Sequence, residues 1–296
     1  MSKNRLGIAF ALTSAFLYAF ISPISKLLNA NIAPFLGASF LYLGTFIAAI
    51  VVFFVRFFSK FRNNENKLVL KDIPNLVLAS LFHSLATIFL LLALRSISAL
   101  NASLITSLEI ISTSVFALII FKERITPLMW AGIGVIFSSI VLISLGDLSN
   151  FTFNVDMIFC LLSPICFGLA NNFQKKISHK DPVVSFGFMG LFGFILTFAI
   201  SLILKEGFST FSYSLFQTLI GVFSYGISLL LFIYAERHIG ASKTSAYFSI
   251  YPFISIIISA IIFNEIPFFT FYIGLGLLVV GYVFIGLDAY KNSADK

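Results

Sequence analysis

Long apolar segments separated by short polar breaks run along the whole chain. Each segment is close to the roughly 20 apolar residues that a helix needs to cross a bilayer. The longest polar gap is the loop 56–72, which leaves no room for a soluble domain. We therefore predict an all-α integral membrane protein with ten transmembrane helices, at residues 6–28, 33–55, 73–94, 97–121, 127–146, 155–177, 182–204, 214–235, 240–263 and 267–287.

Two stretches of the chain share one pattern of apolar and polar positions. Residues 93–134 align without a gap with residues 235–276, and 12 of these 42 positions are identical. Since five spans per half is an odd number, the second half enters the membrane from the opposite face. The sequence predicts two inverted five-helix repeats, residues 1–147 and 148–296, an arrangement typical of transporters. Identical aligned pairs include Ala93 with Ala235, Arg95 with Arg237, Phe121 with Phe263, and Glu123 with Glu265.

The composition excludes a soluble domain of this size, because hydrophobic residues make up 59% of the chain and charged residues only 10%.

The distribution of basic residues predicts the orientation. With both termini in the cytoplasm, 16 of the 19 Lys and Arg lie inside, and only Lys26, Arg95 and Lys205 lie outside. This asymmetry predicts a multi-pass protein of the inner or plasma membrane with cytoplasmic termini. The net charge of +7 is spread over short loops without interleaved aromatic residues, so no nucleic-acid partner is expected.

Metal, cofactor and catalytic motifs are missing from the sequence. Cys160 and Cys166 lie six positions apart in one apolar segment, which predicts neither a disulfide framework nor a thiolate metal site. No Gly-Lys-Ser/Thr motif is present, so transport driven by ATP is not expected. Neither a catalytic Asp pair nor a His-x-x-x-His motif occurs in the apolar segments. We therefore predict a protein without a cofactor, a metal or an enzymatic activity.

Two ionisable side chains are predicted to lie near the membrane midplane. His83 falls at the centre of span three, and Glu109 falls near the centre of span four. A charge at this depth is costly, so such residues normally face the interior of the helix bundle or water. Polar residues three before and four after each of them place both side chains on polar stripes of their helices. These neighbours are Ser80, Thr87, Thr106 and Thr113.

The repeat extends this pair to four residues. His83 aligns with Tyr225, and Glu109 aligns with Tyr251. Inverted symmetry places all four near the midplane, on spans three, four, eight and nine. Two interpretations stay open at this point. The residues bind substrate or carry a coupling proton, or His83 and Glu109 form a structural hydrogen bond between neighbouring helices.

Pro252 and two glutamates mark places where helices are interrupted or end. Pro252 lies near the middle of span nine, where it removes a backbone hydrogen bond and kinks the helix, for a moving gate or for static packing. Glu123 and Glu265 lie at the ends of spans four and nine, as gating residues or as solvated helix-end residues. Glycines are predicted to let helices approach closely at Gly132, Gly134, Gly187, Gly190, Gly193, Gly274 and Gly276.

Several local motifs resemble those of one transporter family. Span one has Tyr18 eight residues before Lys26, and span nine has Pro252 after Tyr251. The chain is similar in these motifs to the EamA-type permeases of the drug/metabolite transporter superfamily, over nearly its whole length. The resemblance implies that spans one, three, four, six, eight and nine line a central cavity, which adds Tyr18 to the predicted site. Span four and its exit carry the longest matching run, Leu108-Glu109-Ile110 followed by Phe121-Lys122-Glu123-Arg124-Ile125-Thr126.

The sequence therefore predicts a secondary active transporter that moves a small polar metabolite across the membrane by alternating access. A buried carboxylate favours a substrate with an amine, so an amino acid or a related amine is the expected substrate class. The expected partners are this small molecule, a coupling proton and the lipid bilayer, and a homodimer is left open. The alternative on the same scaffold is a lipid-linked carrier translocase or scramblase.

Overall fold

Helices and the short turns between them form the part of the chain that the computed structural model describes. The described residues are 3–58, 65–97, 99–106, 108–120, 122, 125–146, 155–264 and 269–294. A short 3₁₀ turn, Leu70–Asp72, precedes α4, and a π-helix, Gly221–Ile227, joins α10 to α11. In chain order the helices are α1 (Lys3–Tyr18), α2 (Ile21–Leu28), α3 (Pro34–Phe58), α4 (Ile73–Ala93), α5 (Ala99–Thr106), α6 (Glu109–Ile119), α7 (Pro127–Gly146), α8 (Val155–Ile177), α9 (Pro182–Ile203), α10 (Phe211–Ile220), α11 (Ser228–Ile239), α12 (Ala241–Phe248), α13 (Tyr251–Phe263) and α14 (Phe269–Ala294).

Most of the predicted spans are helices of membrane-crossing length. Within the described ranges, seven helical stretches are long and apolar enough to cross a bilayer. The other three predicted spans correspond to α5 with α6, to α7 and to α8. The prediction of an all-α integral membrane protein is confirmed. The seven stretches are Asn4–Leu28, Pro34–Phe58, Leu70–Ala93, Pro182–Ile203, Phe211–Ile239, Lys243–Phe263 and Phe269–Asp288.

The two halves of the chain pack against each other through pairs of helices. The most extensive contacts join α4 to α8, α3 to α9, α7 to α14 and α1 to α11, and each pair takes one helix from each half. Glycines allow the close crossings. A Cβ atom at Gly190 would lie 2.7 Å from the backbone nitrogen of Phe46, and one at Gly132 would lie 2.8 Å from Ile285 Cγ1. The prediction for these two glycines is confirmed, since neither position has room for a side chain.

The glycine prediction is wrong at two other positions. A Cβ atom at Gly134 or at Gly276 would meet no heavy atom within 4 Å. Each lies two residues after a glycine of the aligned repeat, on a face of its helix that no other described residue approaches closely. The Gly-x-Gly spacing therefore places one glycine against a neighbouring helix and one away from it, since a step of two residues turns an α-helix by about 200°.

Repeat-equivalent residues lie at opposite ends of the bundle. Helix α4 begins beside the turn Leu70–Asp72, and its 21 residues span about 32 Å before Arg95 follows. Arg237, in the last turn of α11, bonds to Glu65, just before that same turn. Arg95 and Arg237 therefore lie at the two ends of the molecule, which we name the Arg95 end and the Arg237 end. This is the arrangement that an inverted repeat requires.

Spans four and nine are each broken into two helices at equivalent positions. Helix α5 ends at Thr106 and α6 begins at Glu109, while α12 ends at Phe248 and α13 begins at Tyr251. Both pairs of boundaries differ by the repeat offset of 142 residues. Pro252 is thus the second residue of α13, directly after a two-residue turn at Ser249 and Ile250 that interrupts the helix. Glu123 and Glu265, the predicted helix-end residues, lie outside the described residues.

The outer surface of the bundle is apolar. Large hydrophobic side chains are exposed along the helices, with Phe57 72% and Ile261 72% accessible. Many serine and threonine hydroxyls lie inside instead, and several donate to the carbonyl four residues earlier, as Ser80 does to Leu76. Apolar residues outside and internally satisfied polar groups inside are what a bilayer demands of a helical protein.

Candidate functional site

A small cavity lies between the two halves near the middle of the bundle. Its volume is about 30 Å³, which is enough for water and too small for a metabolite. Four of the five predicted binding or coupling residues line it. The lining residues are Ser14, Tyr18, His83, Glu109, Phe167, Asn171, Tyr225, Ser228, Leu229, Phe232 and Phe248.

His83 belongs to a buried polar cluster contributed by both halves. Its Nδ1 lies 3.2 Å from the hydroxyl oxygens of both Tyr42 and Tyr225. The Tyr42 hydroxyl also lies 2.8 Å from the Thr87 hydroxyl and 3.2 Å from that of Tyr225, and Thr87 and Tyr225 are hydrogen-bonded to each other. All four side chains are at most 5% exposed. The cluster joins α3 and α4 of the first half to the π-helix of the second.

The π-helix sets the position of Tyr225. At the repeat-equivalent place in the first half, α4 is a regular helix through His83. The widened turn packs tightly on α3, because a Cβ atom at Gly221 would lie 2.3 Å from the carbonyl oxygen of Leu41. The Thr45 hydroxyl donates to the Gly221 carbonyl at 3.4 Å. π-Helical turns inside α-helices are rare and are frequently found at functional sites.

Glu109 is held at the start of α6 by a network of amides and hydroxyls. The Asn171 side-chain amide donates to Glu109 Oε1 at 3.4 Å, to the Thr113 hydroxyl at 3.2 Å and to the Ser245 hydroxyl at 3.4 Å. The carboxylate is 3% exposed and lies in the first turn of a helix, where the helix dipole favours negative charge. Within the described part of the chain, no Lys, Arg or His nitrogen lies within 4.0 Å of it.

His83 and Glu109 line the same cavity but are held by different partners. Nδ1 of His83 bonds to two tyrosines, and the Glu109 carboxylate accepts from Asn171. Among the contacts of the described residues there is no hydrogen bond between the two. The structural His–Glu bond that the sequence allowed is therefore not formed in this conformation.

Aromatic rings form the remaining wall of the cavity. The Tyr18 ring lies 5.1 Å from Phe248, 5.0 Å from Tyr251 and 6.1 Å from Tyr225, measured between ring centroids. Tyr251 thus supports Tyr18 from behind and does not itself line the cavity. The buried Tyr18 hydroxyl has no hydrogen-bond partner among the described residues. A buried polar atom of this kind is poised to bond to a molecule in the cavity.

Sequence reasoning missed several residues of the site. Asn171 and Asn172 are adjacent amides inside an apolar segment, and this pattern could have marked span six as a lining helix. Tyr42 gave no comparable signal, because a tyrosine is common in an apolar span. Ser14 and Ser228 bond to each other across the halves, with hydroxyl oxygens 3.0 Å apart, and only the fold brings them together.

Comparisons with known proteins agree with this architecture. The EamA-like transporter family matches the chain twice, at residues 5–145 and 155–287. An uncharacterized transporter from Methanothermobacter thermautotrophicus is 26% identical over 305 residues, covering 96% of this chain and 86% of that protein. One solved structure, described only as the crystal structure of a protein, shares the fold with a TM-score of 0.78 at 15% identity, covering 96% of this chain and 97% of that one. The resemblance to EamA-type permeases predicted from the sequence motifs is confirmed, and the chain belongs to the EamA-like transporter family.

Proposed function

We propose that this membrane transporter is a secondary active carrier of a small amine-bearing metabolite, such as an amino acid or a related amine. The observation that carries the proposal is the buried Glu109 carboxylate, which no basic side chain neutralises within the described residues. An uncompensated charge at this depth is costly. A substrate ammonium group or a proton would remove that cost.

The aromatic wall supports a cationic substrate. Tyr18, Phe167, Tyr225, Phe232 and Phe248 line the cavity that Glu109 faces. The faces of aromatic rings attract ammonium groups, and the attraction strengthens where water is excluded. A carboxylate and several aromatic rings around one cavity therefore suit a small molecule that carries an amine.

The position of the cavity between the halves supports transport by alternating access. Its walls come from α1, α4 and α6 of the first half and from α8, α11 and α12 of the second, together with Tyr225 of the π-helix. Since about 30 Å³ cannot hold a metabolite, we propose that the halves rock apart to admit one from either side. The Lys and Arg distribution supports an inner or plasma membrane with both termini in the cytoplasm.

The proposed site is tested with Glu109→Gln, which keeps the shape and the hydrogen-bonding capacity and removes the charge. A thermal-shift screen against amines and amino acids first identifies a ligand, since one at 100 times its Kd adds about 2.7 kcal/mol of stability. If Glu109 pairs with the substrate amine, Glu109→Gln should weaken binding by about 1.5–3 kcal/mol. If Glu109 carries the coupling proton, binding survives, accumulation driven by a pH gradient is lost, and exchange persists.

Reconstituted vesicles with and without an imposed pH gradient separate these outcomes. The matched control is Asp288→Asn, which also turns a buried carboxylate into an amide but pairs with Lys243 and does not line the cavity. Unaltered affinity together with unaltered gradient-driven uptake in Glu109→Gln would remove this residue from the mechanism.

A further inference from the structure

Arg237 joins the two halves at its end of the molecule. The guanidinium lies 3.0 and 3.2 Å from the two carboxylate oxygens of Glu65, which belongs to the first half. The same side chain donates to the Ser178 carbonyl at 2.6 Å and to the Lys180 carbonyl, both of the second half. Arginine presents several donors in a rigid fork, so one side chain can hold all three partners in place.

Two further ion pairs close this end. Lys180 Nζ lies 3.1 Å from Asp72, and Arg56 lies 2.8 Å from Asp181. In addition, the Asp181 backbone donates to the Asn66 carbonyl at 2.9 Å. Each of these contacts joins a residue of the first half to one of the second. The Arg237 end is therefore closed by polar contacts between the first and second halves. These two halves must separate at this end if the cavity is to open there.

The helix ends that precede Arg95 and Arg237 are held by equivalent contacts to their backbone carbonyls. Lys175 donates to the Glu236 carbonyl at 2.9 Å, and Lys26 donates to the Leu94 carbonyl at 2.7 Å. Leu94 and Glu236 are repeat equivalents, each directly before the aligned arginine. The two arginines thus follow helix ends that are tied down in the same way, so each is presented at its own end of the bundle.

The side-chain contacts of the two arginines differ. Arg95 is exposed, and it forms no ion pair with any residue that the structure describes. Arg237 is partly buried, and its Nη1 donates to both carboxylate oxygens of Glu65. One end of the bundle is latched through its arginine while the other is not.

Glu206 is a carboxylate close to the position that the repeat relates to Glu65. It lies in the loop between α9 and α10, one position from the repeat equivalent of Glu65. Its carboxylate accepts from the backbone nitrogens of Phe35 at 3.3 Å and Leu36 at 2.8 Å, in the first turn of α3. The far end of α3 carries Arg56, which pairs at the Arg237 end. Glu206 and Arg95 therefore lie at the same end.

We propose that Arg95 and Glu206 form an ion pair when the cavity opens toward the Arg237 end, and that the Arg237–Glu65 pair separates in the same movement. The two pairs are alternating latches, one for each end, and the inverted repeat supplies both. This inference rests on the proposed alternating-access mechanism and on no particular substrate. Ion pairs at partly exposed positions contribute little net stability, so they can break and reform in every cycle.

Cross-linking tests the latches without any transported substrate. Two double variants, Arg237→Cys with Glu65→Cys and Arg95→Cys with Glu206→Cys, are treated with a short bifunctional thiol reagent in vesicles. Each pair should cross-link, and in the variant carrying all four cysteines each cross-link should exclude the other. The control pair, Arg95→Cys with Ser209→Cys in the same loop, should cross-link several-fold more slowly. No cross-link between positions 95 and 206, or both cross-links in one molecule, would overturn the proposal.

Milder variants keep the fold intact. Glu206→Gln still offers an oxygen to the first turn of α3 but cannot pair with Arg95 as an ion. Arg95→Gln and Glu206→Gln should each slow transport several-fold, and the double variant should be no slower than either single one, because both remove the same interaction. Effects that multiply in the double variant would contradict the pairing. Exclusive cross-links in a protein that transports no amine would sink the proposed substrate class and leave the latches standing.

Discussion

The centres of the two halves share a backbone and differ in chemistry. His83 and Glu109 of the first half are ionisable, whereas Tyr225 and Tyr251 occupy the equivalent positions of the second. His83 and Tyr225 bond to each other across the interface, and Glu109 and Tyr251 each begin a helix directly after a break. The repeat therefore preserves where the helices break and which positions meet, and not the side chains at those positions.

This difference suits a carrier that binds one charge. In the proposed mechanism, two symmetric halves would provide the opposed movements of alternating access. A second carboxylate at position 251 would lie in the same apolar region as Glu109, and like charges there would favour a shared proton over a bound cation. A tyrosine instead keeps the aromatic wall around Tyr18. In the proposed transport cycle, the symmetry of the halves would therefore serve their motion, and the difference between their central residues would serve the binding of one charge.

The largest expected effect concerns the inversion itself. Asn64→Cys and Ser209→Cys place thiols in the loops that precede spans three and eight, and position 64 lies outside the described residues. The ratio of 16 to 3 basic residues predicts that a membrane-impermeant reagent labels position 209 in intact cells and leaves position 64 protected. Cys160 and Cys166 are buried, so background labelling should be low. Labelling of position 64 with protection of 209 would reverse the orientation, and labelling of both would contradict the inversion.

A smaller effect separates the two equivalent pairs at the centre. His83→Phe and Tyr225→Phe both remove groups that bond to each other, so their effects on unfolding free energy should be non-additive by at least about 0.5 kcal/mol. No hydrogen bond joins Glu109 to Tyr251 within the described residues, so Glu109→Gln and Tyr251→Phe should be closer to additive. Two double-mutant cycles, measured by unfolding in detergent, give both values. Equal coupling in the two cycles would mean that the centres are organised alike.

Much of the fold could be predicted because its signals are regular. Ten apolar segments predict the all-α membrane fold, and a constant offset of 142 residues with an odd number of spans per half predicts the inverted repeat. The break before Glu109 could not be predicted, because the apolar pattern continues through it and Ile110 stands where span nine has Pro252. The π-helix at Tyr225 leaves no trace in the sequence either, since it coincides with the close packing of Gly221 on α3, which only the fold provides.

The candidate site was predictable only where a residue type is unusual for its depth. His83 and Glu109 are conspicuous in apolar segments, and the repeat then pointed to Tyr225. Tyr42 is as buried as these and bonds to His83, yet a single tyrosine in an apolar span carries no such signal. Asn171 could have been found as a polar residue in span six, but its role as the donor to Glu109 depends on the packing of α8 against α6.

The smallest expected effect concerns the broken helices. Span four breaks without a proline, so Pro252→Ala should leave the break before α13 in place. Pro252 lies in the first turn of α13, where its missing N–H removes no helical bond, and its loss should lower stability by only about 0.4–1 kcal/mol through the unfolded chain. If the break flexes during transport, the rate should fall by more than this loss explains. Pro127→Ala is the control, since Pro127 also begins a helix, α7, which does not line the cavity. Its loss of stability should be similar and its transport rate unchanged. Normal uptake by Pro252→Ala at normal yield would leave Pro252 a packing role alone, and the two halves would then break their helices equally well with and without a proline.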